Sequence, residues 1–228
     1  IVKTGSISIA GAFALTSYKY RRWGEDEMKN GFVKVAAATP DIRVADVEFN
    51  TQNIINVMEE AQKNGAKILV FPELCVTGYT CSDLFDHSVL LKASRKALLE
   101  IAENTSDKDM LVFVGAPLEV NGKLYNVAAA MNQGEILGFT TKTFLPNYGE
   151  FYEMRQFTPG PQTVREITFE GKKIPFGPQI LFQAKGMEEL VVAAEICEDV
   201  WSPIPPSIQA ALEGATVIVN CSASDETI

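Results

Sequence analysis

Short apolar runs alternate with amphipathic stretches along most of this chain. Val33-Lys34-Val35-Ala36-Ala37-Ala38, closed by Thr39-Pro40, predicts a first core strand. Asp46 is placed to cap a helix, and Val47, Ile54, Met58 and Ala61 recur on one helical face until Gly65 ends it. Lys67-Ile68-Leu69-Val70-Phe71 predicts a second strand, stopped by Pro72. A second helix is expected from Ser88 to Asn104, then a strand over Met110–Gly115. The rhythm then changes. Asn121-Gly122 separates two strand-like runs and predicts a hairpin. Leu124–Met131 and Glu135–Thr141 pair naturally across Asn132-Gln133-Gly134.

A Pro/Gly-rich loop covers 146–161, and further strands are expected at Ile180–Gln183 and Leu190–Ile196. A short helix, Pro206 to Glu213, leads into a last strand over Ala215–Asn220. Strands with both faces buried read as continuous apolar runs, and several here do. Helices over a mixed sheet predict a layered α/β sandwich. Its chain then stops at Asp225-Glu226-Thr227-Ile228, one step after a strand. This predicts a sandwich truncated at its C-terminus, an uncovered sheet edge, and a parent protein that is a homo-oligomer through this domain.

The N-terminal segment reads differently. Ile7 to Leu15 is mildly apolar, but Lys19, Arg21 and Arg22 follow it, the reverse of a signal peptide. Met28 precedes the first convincing strand. Residues 1–27 are therefore expected to be an extension, disordered or from a mis-called start, with 28–228 as the folded domain. The alternative is a strand over Ser6–Ala12.

Composition narrows the function. The 228 residues are 46% hydrophobic and 21% charged, with net charge -9, which argues against a nucleic-acid or anionic-membrane partner. No uninterrupted apolar stretch of about 18 residues exists to span a membrane. Four cysteines without a Cys-x-x-Cys pair, and the single histidine His87, give no metal-site spacing and suggest a reduced, cytoplasmic protein. His87 itself reads as a helix-start or surface residue, and Cys75 and Cys81 as structural.

The candidate chemistry lies where apolar strands open into loops. Glu73 follows Phe71-Pro72, Lys142 follows the strand ending near Thr141, and Cys197 follows Leu190–Ile196. Glu195, Glu198 and Asp199 surround Cys197 in sequence, and nearby negative charge raises a thiol's pKa. With one histidine available, a nucleophilic Cys197 calls for a carboxylate base and a lysine cation. Taken singly, such a glutamate is usually solvated, such a lysine is surface, and such a cysteine is packing. Spacing alone does not bring the three together.

Three motifs in order carry a resemblance. Phe71-Pro72-Glu73-Leu74 with Gly78-Tyr79, Lys142-Thr143-Phe144-Leu145-Pro146 with Phe151-Tyr152-Glu153, and Glu195-Ile196-Cys197-Glu198-Asp199 resemble the signatures of the nitrilase (carbon–nitrogen hydrolase) superfamily. Gly78-Tyr79-Thr80-Cys81-Ser82-Asp83-Leu84-Phe85 and Asn147-Tyr148-Gly149-Glu150 are similar to the glutaminase domain of the glutamine-dependent NAD synthetases. The resemblance implies an α-β-β-α sandwich. It implies Glu73 as base, Lys142 as cation, Cys197 as nucleophile, Glu153 in support and the backbone N–H of Glu198 as oxyanion donor. Tyr148 and Ser224 match positions that contact glutamine. No metal and no cofactor is implied for amide hydrolysis. ATP and Mg are implied only for a downstream synthetase domain, whose Ser-Gly-Gly pyrophosphate loop does not occur here. The alternatives are a free-standing carbon–nitrogen hydrolase acting on another amide, nitrile or carbamoyl group, and a non-catalytic scaffold.

Overall fold

The computed structural model describes residues 19–24 and 32–224. Two β-sheets stack face to face, with helices on both outer sides. The larger sheet takes in β2 (Val35–Ala37), β3 (Ile68–Val70), β4 (Leu111–Val120), β5 (Lys123–Asn132), β6 (Glu135–Thr141), β7 (Arg165–Phe169) and β8 (Lys172–Phe176). Their spatial order is β2-β3-β4-β5-β6-β8-β7. The smaller sheet, in the order β1-β9-β10-β11, is built from β1 (Lys19–Trp23), β9 (Ile180–Ala184), β10 (Met187–Ile196) and β11 (Val217–Cys221).

Side-chain alternation assigns the layers. Leu111 and Phe113 of β4 point into the space between the sheets, where they meet Ile180, Phe182, Val192 and Ala194. Val112, Val114, Ala116 and Leu118 point outward, against α1 (Val47–Lys63) and α2 (Ser88–Glu103) through Ile54, Met58, Leu98 and Ile101. On the far side, Leu181, Val191 and Ala193 pack on Ala210 of α3 (Pro206–Leu212). The result is the α-β-β-α sandwich that the sequence leads one to expect. Period-two alternation of apolar residues on both faces is what a sheet buried on both sides requires.

Local chemistry fixes the elements. Asp46 accepts the Phe49 N–H at 3.2 Å and caps α1. His87 sits at the N-cap of α2. Asn121 and Gly122 both have positive φ (52° and 71°), the conformation of a tight hairpin turn, and Val120 pairs with Lys123 across them.

Two parts of the fold depart from the sequence reading. Residues 19–23, inside the segment set apart as an N-terminal extension, form β1 and pair in parallel with β9, and Trp23 is fully buried. One edge strand carries too few residues for its periodicity to stand out, and its pairing partner lies about 160 positions away. The alternative strand over Ser6–Ala12 lies outside the described residues. β7 and β8 form an antiparallel hairpin turning at Glu170-Gly171 where no strands were expected. Pro175 within β8 masks the strand signal.

Candidate active site

Three strand ends open at one place. Glu73 lies just beyond β3, Lys142 directly follows β6, and Cys197 directly follows β10. The loop bearing Glu73 crosses β4 so closely that a methyl group at Gly115 would lie 2.4 Å from Leu74 N and Pro72 O. Only glycine allows that approach.

Lys142 is the centre of the buried network. Its Nζ donates to Glu73 Oε1 at 2.7 Å and to Glu153 Oε1 at 2.5 Å. Glu73, Lys142 and Glu153 are each 5% exposed or less. Two neutral side chains complete the shell. Asn126 Nδ2 donates to Glu73 Oε1 at 2.6 Å and to Glu153 Oε2 at 3.5 Å. Tyr79 OH donates to Glu153 Oε1 at 2.7 Å. Neither Asn126 nor Tyr79 was given a role on sequence grounds. The signal for Asn126 was a lone polar residue inside the apolar run Leu124–Met131. Buried polar groups need partners, and here the partners are the two carboxylates.

Cys197 has φ 45°, an unfavourable conformation for a side chain of this kind, at the point where β10 turns into a short 3-10 helix. Asn220 Oδ1 holds the Cys197 N–H at 3.0 Å. Its Sγ lies 3.9 Å from the carbonyl oxygen of Ala223, and the N–H of that same Ala223 reaches Glu73 Oε2 at 3.3 Å. One residue, through its two flanking peptide groups, thus links thiol and carboxylate, and both Glu73 and Lys142 act electrostatically on Cys197.

Burial raises Glu73 above the usual carboxylate range and Glu153 pushes the same way, while Lys142 and Asn126 oppose them. Burial lowers Lys142, but the two carboxylates outweigh it and its pKa ends above normal, so the ammonium form persists. The Cys197 thiol is raised by burial first and by Glu73 second; Ser222 and Lys142 pull it down. That differs from the sequence argument, which blamed the adjacent acids. Those acids are engaged elsewhere. Glu195 accepts from Ser207 N at 3.1 Å, and Glu198 accepts from Tyr148 OH at 2.8 and 2.9 Å. Asp199 takes the N–H groups of Thr143 (3.0 Å), Phe144 (2.8 Å) and Ile196 (3.1 Å). It thereby ties the loop after Lys142 to the loop bearing Cys197.

Tyr148 is 58% exposed. Ser224 is also exposed, its hydroxyl 3.2 Å from that of Ser222. A depression of about 330 Å³ bordered by Phe144, Tyr148, Glu198 and Trp201 lies on this side. Another of about 230 Å³, bordered by Tyr79, Tyr152 and Glu153, lies on the other. Cys75, Cys81, Cys197 and Cys221 are all free thiols. Among the described residues, no cluster of three or more His, Cys, Asp or Glu is arranged to hold a metal, and no helix is long and apolar enough to cross a membrane.

A buried lysine bridging two carboxylates beside a strained strand-end cysteine, on an α-β-β-α frame, defines a class of enzyme, and residues 34–227 match the carbon-nitrogen hydrolase family. The chain belongs to that family. It is 39% identical over 198 residues to the glutamine-dependent NAD(+) synthetase of Mycobacterium leprae, covering 87% of this chain and 29% of that protein. The human glutamine-dependent NAD(+) synthetase is 30% identical over 207 residues, covering 86% and 29%. A solved structure of the synthetase from Cytophaga hutchinsonii superposes with TM-score 0.73 at 33% identity, over 84% of this chain and 30% of that one. An amidase from Nesterenkonia shares the fold, with TM-score 0.63 at 24% identity. The chain therefore spans about three-tenths of the length of the synthetases it matches.

Proposed function

We propose that this chain hydrolyses the side-chain amide of glutamine, as the glutaminase portion of a glutamine-dependent NAD(+) synthetase. The observation that carries the chemistry is the Lys142 ammonium, held at 2.7 and 2.5 Å between two buried carboxylates and linked to Cys197 through Ala223. Likeness to the synthetases supports glutamine as the amide.

Burial and Glu73 keep the resting thiol protonated, so attack needs a base. Glu73 takes the Cys197 proton as sulfur bonds to the amide carbon. Lys142 and the Glu198 N–H receive the negative charge that develops on the carbonyl oxygen. Glu73 returns its proton to the nitrogen as the C–N bond breaks, and ammonia leaves. It then takes a proton from water as hydroxide attacks the thioester. Sulfur departs with that proton, and glutamate is released. Glu153 holds Lys142 in place throughout. Tyr148 and Ser224, on the exposed side, contact the amino-acid portion of glutamine. No cofactor takes part. ATP and Mg serve the ligation of ammonia to deamido-NAD in a synthetase domain of the parent protein, a cytoplasmic homo-oligomer in this reading.

The test is release of glutamate and ammonia from L-glutamine, set against asparagine, simple amides and nitriles. Glutamine should be preferred, and Cys197→Ala should reduce turnover at least about 10³-fold. A thiol-reactive diazoketone analogue of glutamine should label Cys197 alone. Turnover of other amides with none of glutamine would instead assign a different carbon–nitrogen hydrolase. In a parent protein with its synthetase domain, Cys197→Ala should leave synthesis from free ammonia intact. Equal loss of both activities would overturn the division of labour.

A further inference from the structure

The two oxygens of Glu73 are not equivalent. Oε1 accepts from both Lys142 Nζ (2.7 Å) and Asn126 Nδ2 (2.6 Å). Among the described residues, Oε2 accepts only the longer bond from Ala223 N–H (3.3 Å), on the side where Cys197 Sγ approaches the Ala223 carbonyl. Asn126 is 1% exposed, and its backbone carbonyl also accepts the Lys142 N–H at 3.0 Å. Its own side-chain Oδ1 is buried with no hydrogen-bond partner among the described residues. Turning the amide over would relieve nothing, because it would press an acceptor against two carboxylates. The orientation is therefore set by Glu73 and Glu153, although it leaves a polar atom unbonded.

We infer that Asn126 is a positioning residue that keeps Glu73 ionised and leaves its Oε2 as the proton acceptor for Cys197. This rests on the reading of Glu73 as the base in amide hydrolysis. The physical reason is a conflict. Glu73 needs the charged form to act as a base, yet burial and Glu153 both favour the protonated form. A second lysine would add a full charge and compete for the oxyanion. An amide stabilises a carboxylate through one N–H and adds no charge. Binding Oε1 also fixes which lone pairs face the thiol, so the proton moves along one path.

Asn126→Leu removes the donor and keeps the number and branching of the side-chain heavy atoms. The pH dependence of kcat/KM for glutamine should then show its acid limb displaced upward by about one pH unit, the shift expected from a lost charge-assisted hydrogen bond. On the acid limb kcat should fall by up to about tenfold and recover as pH rises, with KM within about twofold. A second readout needs no turnover: the 13C carboxyl resonance of Glu73, assigned through Glu73→Gln, should titrate at higher pH in the variant. Should Asn126→Leu fail to fold, Asn126→Val carries the same test. An unshifted acid limb and an unshifted Glu73 titration would overturn the inference, whatever the loss of rate. An unmodified protein that hydrolyses no amide would instead overturn the proposed function, and the carboxyl titration would still decide the role of Asn126.

Discussion

The active site has a floor and a rim, and they are built on different physics. The floor comprises Glu73, Asn126 and Lys142, on or just beyond strands of the seven-stranded sheet, and Glu153, on a 3-10 helix in the loop after β6, and every one of these is buried. Its charges are paired at 2.5 to 2.7 Å before any substrate arrives. The rim comprises Tyr148, Glu198, Ser222 and Ser224, on loops, with exposed hydroxyls and a carboxylate. Cys197 stands between them, strained in backbone and buried. The contrast teaches that the paired charges are buried against the sheet and preorganised, while the exposed polar groups sit where the chain can adapt.

Lys142→Met attacks the floor most directly. Glu73 and Glu153 would remain buried without their cation, and breaking such a group costs about 3–5 kcal/mol. Activity should fall by about 10²-fold or more. Without the ammonium, the Glu73 carboxyl, already raised by burial, would be held still further above its unfolded value. Folded carboxyls that hold protons more tightly gain stability at low pH, so the variant should lose it as pH rises above about 4. Urea unfolding at pH 5 and pH 8 checks this; equal stability at both would show that the floor does not depend on paired charge.

Asp199→Asn probes the join between floor and nucleophile. Burial pushes Asp199 up to about 7, against its three backbone N–H donors. A folded pKa raised above the unfolded value favours the folded state when protonated. The native protein should therefore lose stability by about 1.4 kcal/mol per pH unit from roughly pH 4 to pH 7, and no further above that. Asp199→Asn should lack this slope. Denaturant unfolding across that range is the measurement, and a slope that survives in the variant would place its origin elsewhere.

Tyr148→Phe should act least on stability, because the hydroxyl and Glu198 meet in solvent. Its effect should fall on KM for glutamine rather than on kcat, by about tenfold or less. A fall in kcat with KM unchanged would move Tyr148 from rim to floor.

Much of the floor was legible in the chain. Glu73, Lys142 and Cys197 each end an apolar run, and Glu153 lies in the same motif as Lys142. The helices capped by Asp46 and started at His87, and the hairpin at Asn121-Gly122, stand where local chemistry puts them. These features depend on near neighbours, so periodicity and turn residues report them.

What only the tertiary structure decided is every relation between distant parts of the chain. Trp23 donates its ring N–H to the carbonyl of Phe182, and residues 19–23 become a strand by pairing with β9. Asn126 meets Glu73 across 53 positions, and Ala223 meets it across 150. The acids next to Cys197 in sequence turn toward other partners, while burial first and then Glu73, far from it in sequence, raise the thiol. A sequence fixes which groups are present and how strongly each stretch favours helix or strand. Electrostatic and hydrogen-bond energies depend on distance in space, and only the packed sheets set those distances.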